Sequence, residues 1–405
     1  MPAERANRPA AMSDMEPHAV RGEPDGSRRA GGVLLLLPEA FHGPGGIQTY
    51  ARGQIEALRR CGIERVTALV LNDGPADAGR AEWAEIRAHG YSRSKGRFAW
   101  AAVRAARDHP PDRVILGHRN FLPLAPLVRR APPAERWLMA FGIEFERPLS
   151  GWERWCLRAV DRVFAISPQT AEAVRRAGYP GKVELWPCSL PPDWAPAEAV
   201  PSAFGRPTRL LTVSRLAPPE RGKGIDHAIL AVSHLQKSGF DVRLDVVGDG
   251  EDRQRLQDVA DRAGVGAAVV FHGRVDADTL RGFYAGCDVF VLPSRGEGFG
   301  IVYLEAMAFG KPVIAADAAG APFVVRPGVS GFLVPYGDPH RLAGCMAEAI
   351  RSPEQARLVG LRGRAFVEET FSFEAMVRRT RAILDRSPEL SPARARPSGG
   401  TDASS

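Results

Sequence analysis

The chain has 405 residues, of which 44% are hydrophobic and 25% are charged, as is typical of a folded globular protein. A chain of this length is too long to fold around one ordinary hydrophobic core, so we expect two domains. The longest clear apolar run, at 33–37, is far shorter than the roughly 20 residues that span a bilayer. The first thirty residues also lack the apolar stretch of a secretory signal, and we therefore expect a cytoplasmic protein.

The net charge of +7 and the pI near 9.4 favour an anionic partner such as a nucleic acid, an anionic membrane or a phosphorylated substrate. The sequence contains no recognisable nucleic-acid-binding module, so we expect no nucleic-acid partner. One internal segment mixes basic and aromatic residues: Arg93, Lys95, Arg97, Phe98, Trp100, Arg104 and Arg107. Such a helix either lies on an anionic membrane surface or is an ordinary surface helix with its aromatic residues in the core.

The five cysteines are dispersed along the chain without a C-x-x-C pair: Cys61, Cys156, Cys188, Cys287 and Cys345. An odd and dispersed set of cysteines argues against a disulfide framework and against a zinc site. We therefore expect reduced thiols in a reducing compartment, and no bound metal.

Short β-branched or leucine-rich runs alternate with amphipathic stretches in the first half of the chain. This alternation predicts strands at 31–40, 64–73, 113–117, 137–141 and 162–167. It predicts helices at 47–62, 97–108, 122–130 and 168–178. The order of these elements is the βαβ rhythm of a doubly wound parallel sheet.

A proline-rich segment at 190–207 interrupts the alternation and is the best candidate for a linker. Beyond it, strands are predicted at 210–216, 242–250, 268–275, 288–294 and 311–317. Helices are predicted from 225 onward and at 252–263, 277–286, 301–309 and 373–385. The second half is therefore a second α/β domain, and we expect ligands in a cleft at the carboxyl ends of the strands.

The predicted boundaries divide the chain into five parts. The first domain occupies 31–195, the second 196–372, and a final helix 373–386. Polar, low-complexity tails at 1–30 and 387–405 are predicted to be disordered.

The string SRGEGFGIVYLE at 294–305 follows a predicted strand and enters a helix. Backbone N–H groups of Gly298, Phe299 and Gly300 at the helix start suit a diphosphate. Glu297 and Glu305 place two carboxylates beside it, and carboxylates accept hydrogen bonds from sugar hydroxyls. Either glutamate alone would be an ordinary surface residue, but the whole string predicts a site for a nucleotide sugar.

A second motif, TVSRLAPPERGKGID at 212–226, joins a strand to a helix through a loop rich in proline and glycine. Arg215 makes forked contacts to phosphate and Lys223 a point-charge contact, so together they suit a pyrophosphate leaving group. A solvated basic loop is the alternative.

The third motif, GPGG at 43–46, follows the first strand and precedes a helix. Gly45 and Gly46 let the backbone approach a ligand closely. The string does not match G-x-G-x-x-G, so it does not favour a nicotinamide dinucleotide.

Taken together, the strings GPGGIQTY, RGKGID, VVGDGED, PSRGEGFGIVYLEAMAFGKPVIA and GVSGFLVPYGD resemble the retaining nucleotide-sugar glycosyltransferases of family 4. The likeness covers about residues 31–385 and is strongest over 208–345. It implies the GT-B fold, with two Rossmann-like parallel-sheet domains facing a central cleft. It also implies catalysis without a metal, and a final helix that crosses back to pack on the first domain.

The resemblance assigns roles to individual residues. The E-x7-E pair of the family falls on Glu297, which would contact the donor sugar, and Glu305, which would contact the ribose. Arg215 and Lys223 would bind the diphosphate. The loop of Gly45 and Gly46 would close over the donor from the other domain. The remaining positions would border the phosphate and base: Gly248, Arg274, Val275, Gly298, Phe299 and Gly300.

The sequence departs from the family pattern at two places. Many relatives carry a His–Gly pair where this chain has Phe141 before Gly142, and His118 or Glu144 is the candidate to replace that histidine. A subset of relatives with GH-x-N-L and YGIE strings is closer to this chain. Phe323 also stands where relatives often have a glutamate. Both departures leave the identity of the donor sugar open.

We therefore expect a retaining glycosyltransferase that moves a hexose-type sugar from a nucleoside diphosphate sugar to an acceptor hydroxyl, in cell-surface polysaccharide or glycolipid biosynthesis. The acceptor is a glycan, a lipid-linked molecule or a small molecule, and the sequence leaves these three open. The expected location is cytoplasmic, with peripheral binding at the inner face of the membrane as a further expectation. A nucleotide-sugar epimerase or hydrolase, or a sugar-phosphate synthase, is the first alternative. A non-catalytic sugar-nucleotide-binding subunit is the second, and a Rossmann oxidoreductase comes last.

Overall fold

The computed structural model describes residues 29–43, 45–78, 86–128, 134–200 and 202–386. The predicted disordered tails, at 1–30 and 387–405, lie outside these ranges except for residues 29 and 30, which begin the first strand. Among the helices of the described ranges, none is both long and apolar enough to cross a bilayer.

The strands of the first domain are β1 (Arg29–Leu37), β2 (Ile63–Val70), β3 (Arg87–Gly90), β4 (Arg113–Leu116), β5 (Glu135–Ala140), β6 (Arg162–Ala165) and β7 (Val183–Leu185). Within the described residues they form one parallel sheet in the order β3-β2-β1-β4-β5-β6-β7. The inner strand β1 is buried on both faces: Val33 and Leu35 belong to one hydrophobic cluster, and Leu34 and Leu36 to the other. This double burial explains why β1 is a continuous apolar run.

The helices of the first domain are α1 (Gly46–Arg60), α2 (Pro75–Ala78), α3 (Lys95–Asp108), α4 (Gly151–Leu157) and α5 (Pro168–Arg176), with 3-10 helices at Arg119–Leu124 and Ile143–Phe145. The apolar face of α1 packs on one side of the sheet, and those of α3 and α5 pack on the other. The start of α5 is encoded locally, because the Ser167 hydroxyl accepts from the Thr170 N–H and Pro168 occupies the first helical position.

The strands of the second domain are β8 (Thr208–Val213), β9 (Val242–Val247), β10 (Val269–Gly273), β11 (Val289–Leu292), β12 (Val313–Ala316) and β13 (Phe332–Val334). They form a second parallel sheet in the order β10-β9-β8-β11-β12-β13. The chain leaves β8 in one direction and returns at β11 on its other side, so the loops after β8 and β11 are neighbours at the switch point. These two parallel-sheet α/β domains confirm the predicted fold class.

The helices of the second domain are α6 (Ile225–Lys237), α7 (Arg253–Arg262), α8 (Ala277–Gly286), α9 (Ile301–Ala308), α10 (Ala321–Val324), α11 (Pro339–Arg351) and α12 (Pro353–Thr370). A final helix, α13 (Phe373–Asp385), packs on α1 of the first domain. The Cys61 thiol donates to the Val377 carbonyl at 3.5 Å, and the Arg162 guanidinium donates to the Ile383 carbonyl at 3.3 Å. The last helix thus ties the second domain to the first.

The helix predicted at 122–130 is wrong. The chain forms the 3-10 helix Arg119–Leu124, with turns at 125–127, while residues 129 and 130 lie outside the described ranges. Pro123 and Pro126 explain the error, because each lacks the N–H that an α-helix interior needs, and each disfavours helical geometry in the residue before it. The elements β3, β7, β13, α4, α11 and α12 were not predicted.

Candidate active site

The turn that joins β11 to α9, at 293–300 and here called the donor turn, presents the start of that helix to the cleft. Gly300 caps α9 with a φ of +88°, and a Cβ added there would clash with the Tyr303 ring, so the position requires glycine. The carbonyl of Glu297 accepts from the Gly320 N–H at 2.7 Å, which fixes the turn from behind. The first N–H groups of α9 have no partner within the helix and carry partial positive charge.

Phe299 contributes its backbone to this turn, while its side chain points into the core and holds the turn in place. The ring is 3% exposed and packs edge-on against Phe323 and Phe371. Phe323, at the position where relatives often have glutamate, therefore belongs to an aromatic cluster behind the turn.

Lys223 meets Glu297 where the loops after β8 and β11 come together. The Lys223 ammonium donates to the Glu297 carboxylate, and both side chains are mostly buried, at 21% and 13% exposed. The Arg295 N–H donates to the Gly222 carbonyl at 2.9 Å, so the backbones of the two loops are also joined. Gly224 has a φ of +72°, and a Cβ there would clash with the Pro293 carbonyl oxygen. The structure thus brings two of the predicted donor motifs into one site.

Arg215 lies in the same loop, but its side chain is 79% exposed and pairs with Glu220. Arg215 has to leave this pair before it contacts a ligand bound at Lys223. An exposed ion pair contributes only about 0–1 kcal/mol, so the rearrangement costs little.

Glu305 projects from the second turn of α9 and is half-buried. The hydroxyl of Tyr284, from α8, donates to its carboxylate at 2.7 Å. Burial raises the pKa of Glu305 to about 7, although the Tyr284 hydrogen bond acts in the opposite direction. The buried Tyr284 is a site residue that sequence reasoning missed, because nothing in the string around it distinguishes it from a core tyrosine.

Gly248 begins the loop after β9 and has a φ of +127°. Its N–H donates to the Gly273 carbonyl at 2.8 Å, and a Cβ there would clash with the Ser214 carbonyl oxygen. Arg274 is exposed and Val275 half-buried, immediately after this contact. The three predicted border residues therefore lie at the same carboxyl edge as the Lys223 loop.

The start of α1 faces the start of α9 across the cleft. Gly45 precedes α1, and its carbonyl accepts from the Thr49 N–H at 2.9 Å. A Cβ added at Gly46 would lie 3.8 Å from the Cγ2 atom of Ile301, the first residue of α9. The glycine loop of the first domain thus reaches the donor turn of the second, while Pro44 lies outside the described residues.

The loop after β5 also reaches the donor turn. A Cβ added at Gly298 would clash with the Phe141 carbonyl oxygen, and Gly142 has a φ of +116°. The Glu144 carboxylate accepts from the Phe141 N–H at 2.6 Å. Burial raises the pKa of Glu144, and its backbone hydrogen bonds oppose the shift only in part. Glu144 therefore stabilises its own loop at the edge of the cleft.

His118 follows β4 and caps the 3-10 helix Arg119–Leu124, since its Nδ1 atom accepts from the Asn120 N–H at 3.1 Å. Burial lowers the pKa of His118, and the neighbouring Arg119 lowers it further. A neutral imidazole suits this capping role. The next residue, Arg119, donates to the main-chain carbonyl of Glu144, so the segments that carry the two candidate residues are joined.

The amino-acid sequence of this chain is also similar to those of known protein families and individual proteins. Residues 45–189 match the family described as glycosyl transferase 4-like domain, and residues 198–366 match the family described as glycosyl transferases group 1. A Corynebacterium glutamicum protein, the GDP-mannose-dependent monoacylated alpha-(1-6)-phosphatidylinositol monomannoside mannosyltransferase, is 36% identical over 182 residues. That alignment covers 43% of this chain and 46% of the relative, so it spans less than half of the relative's length.

Solved structures match over most of the chain. Sucrose-phosphate synthase from Thermosynechococcus elongatus aligns with a TM-score of 0.73 at 23% identity, over 87% of this chain and 98% of that one. Anabaena HepE in complex with UDP and glucose aligns with a TM-score of 0.70 at 21% identity, over 88% and 100%. At these identities the likeness shows the fold. The chain therefore carries a glycosyl transferase 4-like domain followed by a glycosyl transferases group 1 domain, in a GT-B fold.

Proposed function

We propose that this protein transfers a sugar from a nucleoside diphosphate sugar to an acceptor hydroxyl. One observation carries the proposal: the Lys223–Glu297 pair lies at the start of α9, where the first domain also reaches the donor turn through Gly46. A cation and a helix N-terminus stabilise a diphosphate, and a carboxylate beside them accepts from sugar hydroxyls.

In the proposed reaction the bond between the anomeric carbon and the diphosphate oxygen breaks, and a bond from that carbon to the acceptor oxygen forms. The acceptor proton passes to the leaving phosphate oxygen. Negative charge grows on the diphosphate in the transition state, and Lys223, the α9 N-terminus and a reoriented Arg215 stabilise it there. We propose that no metal is required, because these groups already supply positive charge.

We further propose retention of the anomeric configuration, with the leaving phosphate guiding the acceptor to the same face of the sugar. The proposed acceptor is lipid-linked, in glycolipid biosynthesis. Support for a lipid-linked acceptor comes from the Corynebacterium relative, a mannosyltransferase named for a phosphatidylinositol monomannoside. The proposed place of action is a membrane surface. Exposed aromatic and basic residues of the first domain support this location.

The proposal is tested with a panel of nucleotide sugars that includes GDP-mannose and UDP-glucose, each combined with a panel of lipid-linked, glycan and small-molecule acceptors. The donor is expected to raise the melting temperature by mass action, and to be consumed only when an acceptor is present. NMR of the product is expected to show the anomeric configuration of the donor, and an inverted linkage would overturn retention. Complete conversion to free sugar or an epimer without acceptor would instead establish a hydrolase or epimerase. Binding without turnover on the acceptor panel would favour a non-catalytic subunit.

A further inference from the structure

Arg119 is the first residue of the 3-10 helix that follows β4, and it is only 1% exposed. Its guanidinium is surrounded by acceptors from the segment after β5 and from α4. Its Nη1 atom donates to the Glu144 carbonyl and, at 2.7 Å, to the Arg147 carbonyl. Its Nη2 atom donates to the Pro148 carbonyl at 3.1 Å. The guanidinium thus contacts three carbonyls of one loop, here called the 141–148 loop.

Glu153 of α4 supplies the opposite charge. It accepts from the Nε atom of Arg119 at 3.0 Å and from Nη2 at 3.1 Å, a forked pair. Burial alone would raise the pKa of Glu153, but hydrogen bonds from Arg119, Ser150 and Arg147 outweigh it and hold that pKa well below its usual range. The Ser150–Glu153 capping box fixes the carboxylate at the start of α4. Arg119 is therefore held rigidly between α4 and the 141–148 loop.

The 141–148 loop is one of two segments of the first domain that reach the donor turn, the other being the glycine loop before α1. The Phe141 carbonyl lies against Gly298, and the Glu144 side chain fixes the Phe141 N–H. Arg119 binds the carbonyl of the same Glu144. A displacement of Arg119 therefore moves Glu144, and Glu144 in turn moves Phe141 at the edge of the cleft.

We infer that Arg119 is a positioning residue for the proposed transfer: it sets the distance between the 141–148 loop and the donor turn. The inference rests on the proposed function. Arg119 lies beneath the loop and acts through it, so it orients the acceptor side of the cleft without touching substrate. Its loss leaves donor binding to the second domain intact and slows the reaction of bound substrates.

Arg136 provides a matched control. It is 7% exposed in β5, and its Nε and Nη2 atoms donate to Asp161 at 2.9 and 3.0 Å, also as a forked pair. It lies near the amino end of its strand, whereas the cleft is at the carboxyl ends. Removal of either buried arginine breaks a forked ion pair, but of the two only Arg119 holds the 141–148 loop.

The experiment compares Arg119→Ala and Arg136→Ala with the native chain, using the donor and acceptor identified by the panel. We expect Arg119→Ala to lower kcat by about 10²-fold, as a displacement of about 1 Å can, with the donor Kd within twofold. Arg136→Ala is expected to keep its kcat within about threefold of the native value when kcat is calculated per folded molecule. Guanidinium at tens of millimolar is expected to restore part of the kcat of Arg119→Ala and to leave Arg136→Ala unchanged.

Hydrogen exchange of the 141–148 segment gives a second measurement that needs no turnover. Faster exchange there in Arg119→Ala, but not in Arg136→Ala, is expected. Equal kcat losses in the two variants, native kcat in Arg119→Ala, or unchanged exchange in this segment would each overturn the inference. A native chain that turns over no nucleotide sugar would instead overturn the proposed function, and the exchange result would still report whether Arg119 holds the loop.

Discussion

Lys223 keeps its ammonium in a mostly buried position, where the Glu297 carboxylate offsets the loss of water. Lys223→Ala removes the positive charge that faces the leaving diphosphate. We expect kcat to fall by about 10²–10³-fold, the usual effect of losing one such contact. Lys237→Ala, at the exposed end of α6, is the control and is expected to keep native turnover. Near-normal turnover of Lys223→Ala on a verified substrate would refute the assignment.

We expect Glu305 to make the binding of the donor depend on pH. Its pKa is about 7 without ligand, because burial disfavours the charged form. If ribose hydroxyls donate to this carboxylate, the bound state favours ionisation and lowers that pKa. Binding then releases a proton, so affinity should rise as the pH increases towards 7 and level off above it. The gain is about tenfold for each unit by which binding lowers the pKa.

The measurement is the donor Kd between pH 5.5 and 8.5, since the diphosphate of a nucleotide sugar does not titrate in this range. Glu305→Gln cannot ionise and should bind with a flat pH profile. Tyr284→Phe removes the hydroxyl that donates to Glu305 and should raise the pH at which affinity levels off. Parallel profiles for the native chain and Glu305→Gln would contradict the ribose role.

At the scale of structural elements, the close approach of the donor turn to the first domain requires a residue without a side chain at position 298, which is Gly298. A Cβ at this position would press on the backbone carbonyl of Phe141 in the other domain, which cannot rotate away. Gly298→Ala should therefore separate the two loops and lower kcat by about 10²-fold. Gly296→Ala, two residues earlier, meets nothing within 4 Å and should be nearly native. Equal kcat values for the two variants would show that the contact does not matter.

Local chemistry made many elements predictable. The continuous apolar run of β1, buried on both faces, and the Ser167–Pro168 start of α5 carry their signals within a few residues. The helices at 277–286 and 373–385 were predicted with the bounds that the structure has. By contrast, β3 and β7 have only four and three residues, and sheet pairing rather than sequence pattern defines them.

The donor half of the candidate site was predictable from contiguous strings, because Lys223 and Glu297 both lie in glycine-rich loops after strands. The Tyr284 contact to Glu305 and the Arg119 contacts to the 141–148 loop were not. Each joins segments more than twenty residues apart in the chain, as the separations of 21 and 25 residues show. Sequence spacing carries no information on such pairs until the fold places them.

On the scale of the whole molecule, one surface of the first domain remains apolar and basic. Trp152 and Trp155 of α4 are 57% and 49% exposed, and their rings stack at 4.7 Å. Arg154 and Arg158 on the same helix are exposed, as is Arg147 just before it. Because Arg119 joins α4 to the 141–148 loop through Glu153, this surface is connected to the edge of the cleft that the first domain forms.

The predicted basic, aromatic segment forms α3, where Phe98 is buried and Trp100 is 63% exposed beneath the Arg104 guanidinium. Phe98 stacks on Phe121 of the 3-10 helix Arg119–Leu124, at 5.0 Å between ring centroids. Arg119, in that 3-10 helix, also binds Glu153 of α4. Two helices with exposed tryptophans and arginines therefore flank one segment, a combination that fits an anionic bilayer surface.

Trp152→Ala/Trp155→Ala should weaken binding to vesicles that contain phosphatidylglycerol. An indole that buries on the order of 100 Å² in the interface contributes roughly 2 kcal/mol, so loss of the pair should lower the partition coefficient by about 10³-fold. Leu358→Ala/Leu361→Ala, at exposed positions of α12 in the second domain, is the control and should bind as the native chain does. Binding of the native chain should also fall with added salt and with neutral phosphatidylcholine vesicles, because the arginines contribute through charge. Co-sedimentation measures all four comparisons, and equal partition coefficients for the tryptophan variant and the native chain would show that this surface is not the membrane contact.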